Sequence, residues 1–271
     1  MGSRRLIGLS SKRRRQRGIM RLPGLDKTRR FRIFLVLAIA VVAAAKFHEY
    51  RDDLIVLYHQ RVTAPRTIRE YLETHSIRKL QLGAGGNSVD GWLNTDIEPK
   101  ANEVYLDATS DYPFPSGSFH YVFAEHLIEH LPWEGGLKML KESRRVLAPG
   151  GKIRIVTPNL AKLFQLLNDG TDVEARKFIE ANRRLFGWPD TPVMPAYVFN
   201  KSMREWGHQF IYDPATLRKT FELAGFTEIK ERRIGEKTDP IFEGVEFRTR
   251  SLGEDVWLTN SWGAMAFEAV R

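Results

Sequence analysis

Lys79-Leu80-Gln81-Leu82-Gly83-Ala84-Gly85-Gly86-Asn87-Ser88, followed by Trp92-Leu93-Asn94-Thr95-Asp96-Ile97, is the stretch that decides the fold. An apolar run that stops at a glycine-rich turn, then a second short run ending in Asp, reads as two strands of a nucleotide-binding α/β sheet. Glycine suits the turn because a backbone without Cβ bends sharply and approaches a ligand closely. The Asp96 carboxylate can accept hydrogen bonds from two hydroxyls at once. A Gly-x-Gly alone serves a hairpin or a packed loop equally well, so the residues downstream of it decide between these readings.

From Leu80 onward strands and helices are predicted to alternate, which argues for a mostly parallel sheet with helices on both faces. Strands are expected at residues 79–82, 93–97, 103–106, 119–124, 152–156, 228–233 and 264–270, and a helix at 133–147 between Pro132 and Pro149-Gly150-Gly151. The first four strands each end in a polar or glycine cluster. Ligands bind at the carboxyl ends of strands in such sheets, so these clusters should meet in one crevice.

The net charge of +9 suggests a nucleic-acid binder until its distribution is read. Twelve of the 42 basic residues and one of the 33 acidic ones lie in residues 1–32, which leaves 30 basic against 32 acidic residues in 33–271. The charge therefore belongs to a basic tail, and nucleic acid is not an expected partner of the near-neutral body. Absence of cysteine excludes disulfides, thiolate metal sites and cysteine nucleophiles.

Residues 33–45, Ile33 to Ala45, are thirteen uncharged apolar residues between Arg32 and Lys46. At about 1.5 Å per residue this run is short for a bilayer core of about 30 Å, and a transmembrane helix needs Phe31 recruited and the flanking charges snorkelling. A signal anchor or membrane-associated helix, a cleaved targeting segment ending near Ala43-Ala44-Ala45, and a buried helix all stay open. The favoured expectation is a helix on the membrane surface, with the catalytic domain facing the cytoplasm. Organellar or secretory targeting stays open. The segment is expected to continue as helix to residue 62, with Leu54, Ile55, Leu57, Tyr58 and Val62 apolar, and to end at Pro65. The expected division is thus a tail (1–32), a helical segment (33–62) and a catalytic domain (63–271).

Six pieces in order carry a family resemblance: Leu82-Gly83-Ala84-Gly85; Asn94-Thr95-Asp96; Asp107-Ala108; Pro113-Phe114-Pro115-Ser116-Gly117-Ser118-Phe119; Glu125-His126-Leu127-Ile128-Glu129-His130-Leu131; and Arg144-Arg145-Val146-Leu147-Ala148-Pro149-Gly150-Gly151. Together they resemble the class I S-adenosylmethionine-dependent methyltransferases, in the branch called type 11. The resemblance implies a Rossmann-like seven-stranded, mostly parallel sheet with an antiparallel C-terminal strand, and S-adenosylmethionine as cofactor. It implies that Gly83, Ala84 and Gly85 lie under the methionine moiety and that Asp96, beside Ile97, takes the ribose. Asp107 and the Ala108 N–H take the adenine, and Glu125 and His126 face the methionine end or the acceptor. The chain departs from the family pattern at Gln81, where an acid is usual, and at His120, where an Asp usually pins a loop.

Two other cofactor readings compete. His126-Leu127-Ile128-Glu129-His130 matches the H-x-x-E-H zinc pattern, but it follows a strand and is cut short by Pro132, so no metal is expected. A nicotinamide oxidoreductase would need Gly where Ser88 stands, and a longer interval before Asp96. A degenerate methyltransferase fold serving as a scaffold is a further alternative.

Residues 158–207 form an insertion expected to cover the acceptor site, with helices at 159–167 and 172–186 and an aromatic, proline-punctuated loop at 187–200. Trp188, Tyr197, Phe199 and Trp206 are candidates to stack on a substrate, or simply to close an apolar lid. Asp213 should cap a helix running to Leu223. Methyl transfer to a hydroxyl requires a base near neutral pKa, which makes His208, His126 and His130 the catalytic candidates, with Glu129 as a possible orienter. The expected reaction is methyl transfer to an oxygen of a small-molecule, glycan or lipid-linked acceptor.

Overall fold

The computed structural model describes residues 26–168, 172–187, 194–236, 239–246 and 253–271. The basic tail therefore lies almost wholly outside the described residues, as does Trp188. The chain forms two compact units, Met1–Asp52 and Asp53–Arg271.

The first unit is built on α1 (Lys27–Tyr58), whose far end continues into the second. Phe31, Phe34, Val36, Val41 and Phe47 are exposed along it. The transmembrane reading is not carried by this helix: among the described residues, no helix is long and apolar enough to cross a membrane. The uninterrupted apolar run is only thirteen residues, and charge flanks it on both sides.

In the second unit, Pro65 does not end the helical segment. A π-helical turn (His59–Thr63) leads directly into α2 (Ala64–Thr74), where Pro65 sits in the first turn and its missing N–H costs no helical hydrogen bond. Ile68 and Tyr71 of α2 are buried against the sheet, and the Tyr71 hydroxyl donates to the Lys79 carbonyl at 2.9 Å.

The sheet consists of β1 (Lys79–Leu82), β2 (Leu93–Asp96), β3 (Glu103–Tyr105), β4 (Phe119–Glu125), β5 (Leu147–Pro158), β6 (Thr227–Arg232) and β7 (Ala264–Val270) in the order β3-β2-β1-β4-β5-β7-β6. The first five strands pair in parallel, and β7 runs antiparallel between β5 and β6. Helix α3 (Trp133–Val146) crosses from β4 to β5, and α7 (Pro214–Leu223) precedes β6, capped by Asp213, whose side chain accepts from Thr216 N–H. The expected strand–helix alternation begins only at β4. The crossovers 83–92, 97–102 and 106–118 are made of turns.

Side chains alternate across the sheet with period two. Leu80, Leu82, Val122, Ala124, Ile153, Ile155, Met265 and Phe267 face the larger core beneath α2, α3 and α7. Phe123, Val156 and Ala266 face a smaller one closed by Trp92, Ile234, Phe242 and Val245. The insertion has its own core, in which Leu163 and Leu166 of α4 (Leu160–Asn168), Phe178 and Ile179 of α5 (Val173–Leu185) and Val198 of α6 (Pro195–Arg204) pack together. Two helices were not expected, one in the insertion and one beyond it. Pro195 opens α6 instead of breaking a loop, and α8 (Glu254–Gly263) precedes β7.

Candidate active site

The chain leaves β1 toward β2 on one side and later returns to β4 on the other, so the order reverses between β1 and β4. A crevice at such a switch point is where open α/β sheets bind ligands. Register places Leu82 opposite both Thr95 and Ala124, and Asp96 opposite Tyr105, so the residues following each strand share one edge.

The glycine turn is shaped by its backbone. Gly83 has φ +62°, and a Cβ there would meet Leu127 Cδ1 at 2.8 Å, so the position admits only glycine without strain. Gly85 also has positive φ, +57°, but a Cβ on it would meet nothing within 4 Å, which leaves room over the turn. The Ala84 N–H donates to the Thr95 carbonyl at 3.0 Å. The Asp96 carboxylate draws the turn toward β2, accepting from Gly85 N–H at 2.8 Å and from Glu98 N–H at 2.9 Å. Ile97, next to it, is exposed. Gln81 is buried and spent on the loop, its amide donating to the Asn87 carbonyl and accepting from Val89 N–H. The acid beneath the turn is Glu103, read from the sequence only as a strand residue, which accepts from Gly86 N–H at 2.8 Å and Lys100 N–H at 2.7 Å. His120 accepts from Arg78 N–H at 3.1 Å and so pins the chain entering β1.

Asp107, just past β3, accepts from the N–H and hydroxyl of Thr109. The neighbouring Ala108 carbonyl accepts from the Tyr112 hydroxyl at 3.2 Å. A recess of about 540 Å³ opens beside Asp107 on the α2 side, between Ile68, Arg69, Leu72 and Leu106.

Past Glu125, His126 adopts a left-handed backbone, φ +51°. Such a conformation costs of order 1 kcal/mol or more outside glycine and persists where surroundings enforce it. Here its N–H donates to the Val156 carbonyl at 2.9 Å, its Nδ1 lies 2.8 Å from Glu129 Oε1, and its Nε2 lies 3.1 Å from Asn260 Oδ1. Both ring nitrogens of His126 are thereby engaged, one of them with Glu129. Glu129 is 0 % exposed, and its second oxygen accepts from the Thr157 hydroxyl at 3.0 Å. Burial alone would raise its pKa, but the charge and hydrogen bond of His126 outweigh that and hold the carboxyl below its ordinary value.

His208 comes to the same place. The Glu129 carbonyl accepts from Gln209 and Phe210 N–H, and Gln209 Nε2 donates to the His130 carbonyl at 2.8 Å. These bonds bring the His130 and His208 rings to 4.9 Å at 74°. His208 Nδ1 lies 2.7 Å from the Ser202 carbonyl, which can only accept, so Nδ1 carries the proton and Nε2 keeps its lone pair. Burial lowers the His208 pKa, against the opposing pull of the Ser202 carbonyl.

Of the expected aromatic residues, Trp206 packs on Phe186 near His208. Phe199 packs into the insertion core against Phe164, and Tyr197 lies beneath Lys201. Asn260 was not foreseen. It lies 134 residues from His126, in a helix whose sequence carries no apolar period, and nothing local marks it.

Residues 88–155, about a quarter of the chain, match the methyltransferase domain family, and that span contains β2 to β4 and β5 as far as Ile155, with Asp96, Asp107 and Glu125 to His130. No curated protein sequence matches the chain. Among solved structures, phosphoethanolamine N-methyltransferase 2 of Haemonchus contortus, in complex with S-adenosyl-L-methionine, is 16 % identical with a TM-score of 0.38, over 72 % of this chain and 48 % of that one. The chain thus spans about half the length of that protein. A SAM-dependent methyltransferase from Archaeoglobus fulgidus is 17 % identical with a TM-score of 0.41, over 84 % and 99 %. The CurJ carbon methyltransferase is 15 % identical with a TM-score of 0.37, over 73 % and 49 %. Likenesses at this level do not bear on the acceptor. The family match instead falls on β2 to β5, and the nicotinamide reading gives way to it. Over residues 88–155 the chain is thus similar to the methyltransferase domain family, in keeping with the resemblance its motifs carry to S-adenosylmethionine-dependent methyltransferases of the type 11-like branch.

Proposed function

We propose that the enzyme methylates an oxygen of a small-molecule, glycan or lipid-linked acceptor, with the reacting hydroxyl placed at His208. The cofactor supplies an electrophilic methyl group on a sulfonium when bound. The residues present suit it: Gly85 leaves open space over the turn, and Asp96 and Asp107 stand at the ends of adjacent parallel strands. In this reading Asp96 accepts from the ribose hydroxyls, Asp107 with Ala108 meets the adenine edge, and Gly83, Ala84 and Glu125 border the methionine end.

The observation that carries the oxygen reading is the fixed tautomer of His208. A hydroxyl becomes a competent nucleophile as its proton leaves, and Nε2 is the one atom of the cluster pre-set to take it. His130 flanks it, while His126 keeps Glu129 in place. His208→Ala should lower turnover by roughly 100-fold or more, in the range general bases contribute. Affinity for S-adenosylhomocysteine should stay near that of the unmodified enzyme. Loss of both together in steady-state and calorimetric measurements removes the proton-accepting role.

The exposed apolar side chains of α1 favour a membrane surface as a further partner, with the catalytic unit on its cytoplasmic side. The protein should sediment with anionic phospholipid vesicles, and Phe34→Asp should weaken that binding. Equal sedimentation of the two proteins counts against the role of α1.

A further inference from the structure

We propose that Glu129, His130 and His208 together hold one divalent transition-metal ion. Each offers one donor atom, a carboxylate oxygen or an imidazole nitrogen, and these atoms lie within 4.8 Å of one another. Donors bonded to a tetrahedral ion at about 2.1 Å stand about 3.4 Å apart, so modest side-chain rotation closes the set. Two imidazoles and a carboxylate form the donor set of a catalytic site, with a fourth position left for substrate or water.

The supporting contacts are already those of a metal centre. A ligating histidine characteristically donates its second ring nitrogen to a carbonyl or carboxylate, and His208 Nδ1 does so to Ser202. Ligating carboxylates are themselves held, and Glu129 is held by His126 and Thr157. A carboxylate has about four lone-pair sites, so two hydrogen bonds leave capacity for an ion. The backbone bonds from Gln209 and Phe210 to Glu129 bring His208 to His130. The H-x-x-E-H spacing pairs His126 with His130, but the ring nitrogens of His126 already face Glu129 and Asn260. His208 takes its place, from a segment 82 positions further along the chain.

The inference rests on the acceptor-end reading of this site and adds a Lewis acid to it. A bound ion would polarise the acceptor hydroxyl and let its proton leave to water, replacing His208 Nε2, then a ligand, as the means of deprotonation.

The test is calorimetric titration of ZnCl2 into full-length protein that has been stripped with chelator and saturated with S-adenosylhomocysteine. One ion per chain is expected, with His130→Ala and His208→Ala each weakening binding about tenfold or more, and with no comparable heat from Mg²⁺. No stoichiometric isotherm, or one unchanged in His208→Ala, overturns the proposal. Should a variant lose S-adenosylhomocysteine binding, Co²⁺ added to the unmodified protein decides instead. Intense visible bands of four- or five-coordinate cobalt support the site, and the faint spectrum of octahedral cobalt overturns it. The acceptor reading fails separately, by unchanged turnover of His208→Ala assayed with chelator present.

Discussion

Asp96→Ala is expected to weaken S-adenosylhomocysteine binding by about 100-fold or more. A hydrogen bond to a charged group contributes about 1.5–3 kcal/mol, and two ribose hydroxyls on one carboxylate account for the loss without any other contact. The side chain also acts before the cofactor arrives. Its Oδ2 accepts from Gly85 N–H at 2.8 Å and its Oδ1 from Glu98 N–H at 2.9 Å, so alanine releases the turn as well. Asp96→Asn keeps one acceptor oxygen and should lose less than alanine. Because Asp96 is only half-buried, both variants should remain folded, which circular dichroism checks. Affinity within about threefold of the unmodified protein would place the adenosine elsewhere.

Arg154→Met should produce the largest loss of stability, about 3–5 kcal/mol, because it removes a buried cation that pairs with two carboxylates. Arg154 is 1 % exposed, on the sheet face away from α3 and α7. Its Nε donates to Glu246 Oε1 at 2.7 Å and a terminal nitrogen donates to Glu268 Oε1 at 2.6 Å. Glu246 also accepts from Gly235 N–H at 2.8 Å. The guanidinium thereby ties β5 and β7 to the turn after β6 and to residues 245–246. Methionine fills similar volume but removes the Arg154 charge from Glu246 and from Glu268, the latter also lying 3.4 Å from Arg232. In a domain this size the loss corresponds to a melting temperature lower by roughly 10 °C, readable by calorimetry. Since the network lies apart from the crevice, S-adenosylhomocysteine affinity well below that temperature should be unchanged. A shift below about 1 kcal/mol would mean the carboxylates find other partners or water.

The parts legible in the sequence are those written locally. The run Lys79 to Leu82, the glycine turn and the terminal strand Ala264–Val270 carry their period and their stops in adjacent residues. Helix α7 is legible because Asp213-Pro214 combines a capping carboxylate with a proline suited to a first turn. Pro195 misleads by the same chemistry, since a proline that looks like a breaker also begins a helix. Helix α8 has no such signal. It is held by packing, with the Trp262 ring tilted at 36° and 4.5 Å from Phe178 of α5 and Gly263 fitting against the same ring. The turn-made crossovers escape a reading that expects a helix between parallel strands.

At the site, Asp96, Asp107 and His126 to His130 are visible as motif residues, but their partnerships are not. Glu103 under the glycine turn, Asn260 against His126 and the Ser202 carbonyl that sets the His208 tautomer all come from distant chain positions or from backbone atoms. No local pattern encodes such contacts. The Gln81 departure is understood only in three dimensions, where both ends of the amide are used to hold the turn.

The most direct measurement is a crystal structure of the protein with S-adenosylhomocysteine. The expected density has the ribose hydroxyls on Asp96, the adenine amino group at Asp107 and the homocysteine over Gly83 and Gly85, with its sulfur on the His208 side of β4. Density confined to the recess between α2 and Asp107, with Asp96 uncontacted, would contradict the assignment of the crevice.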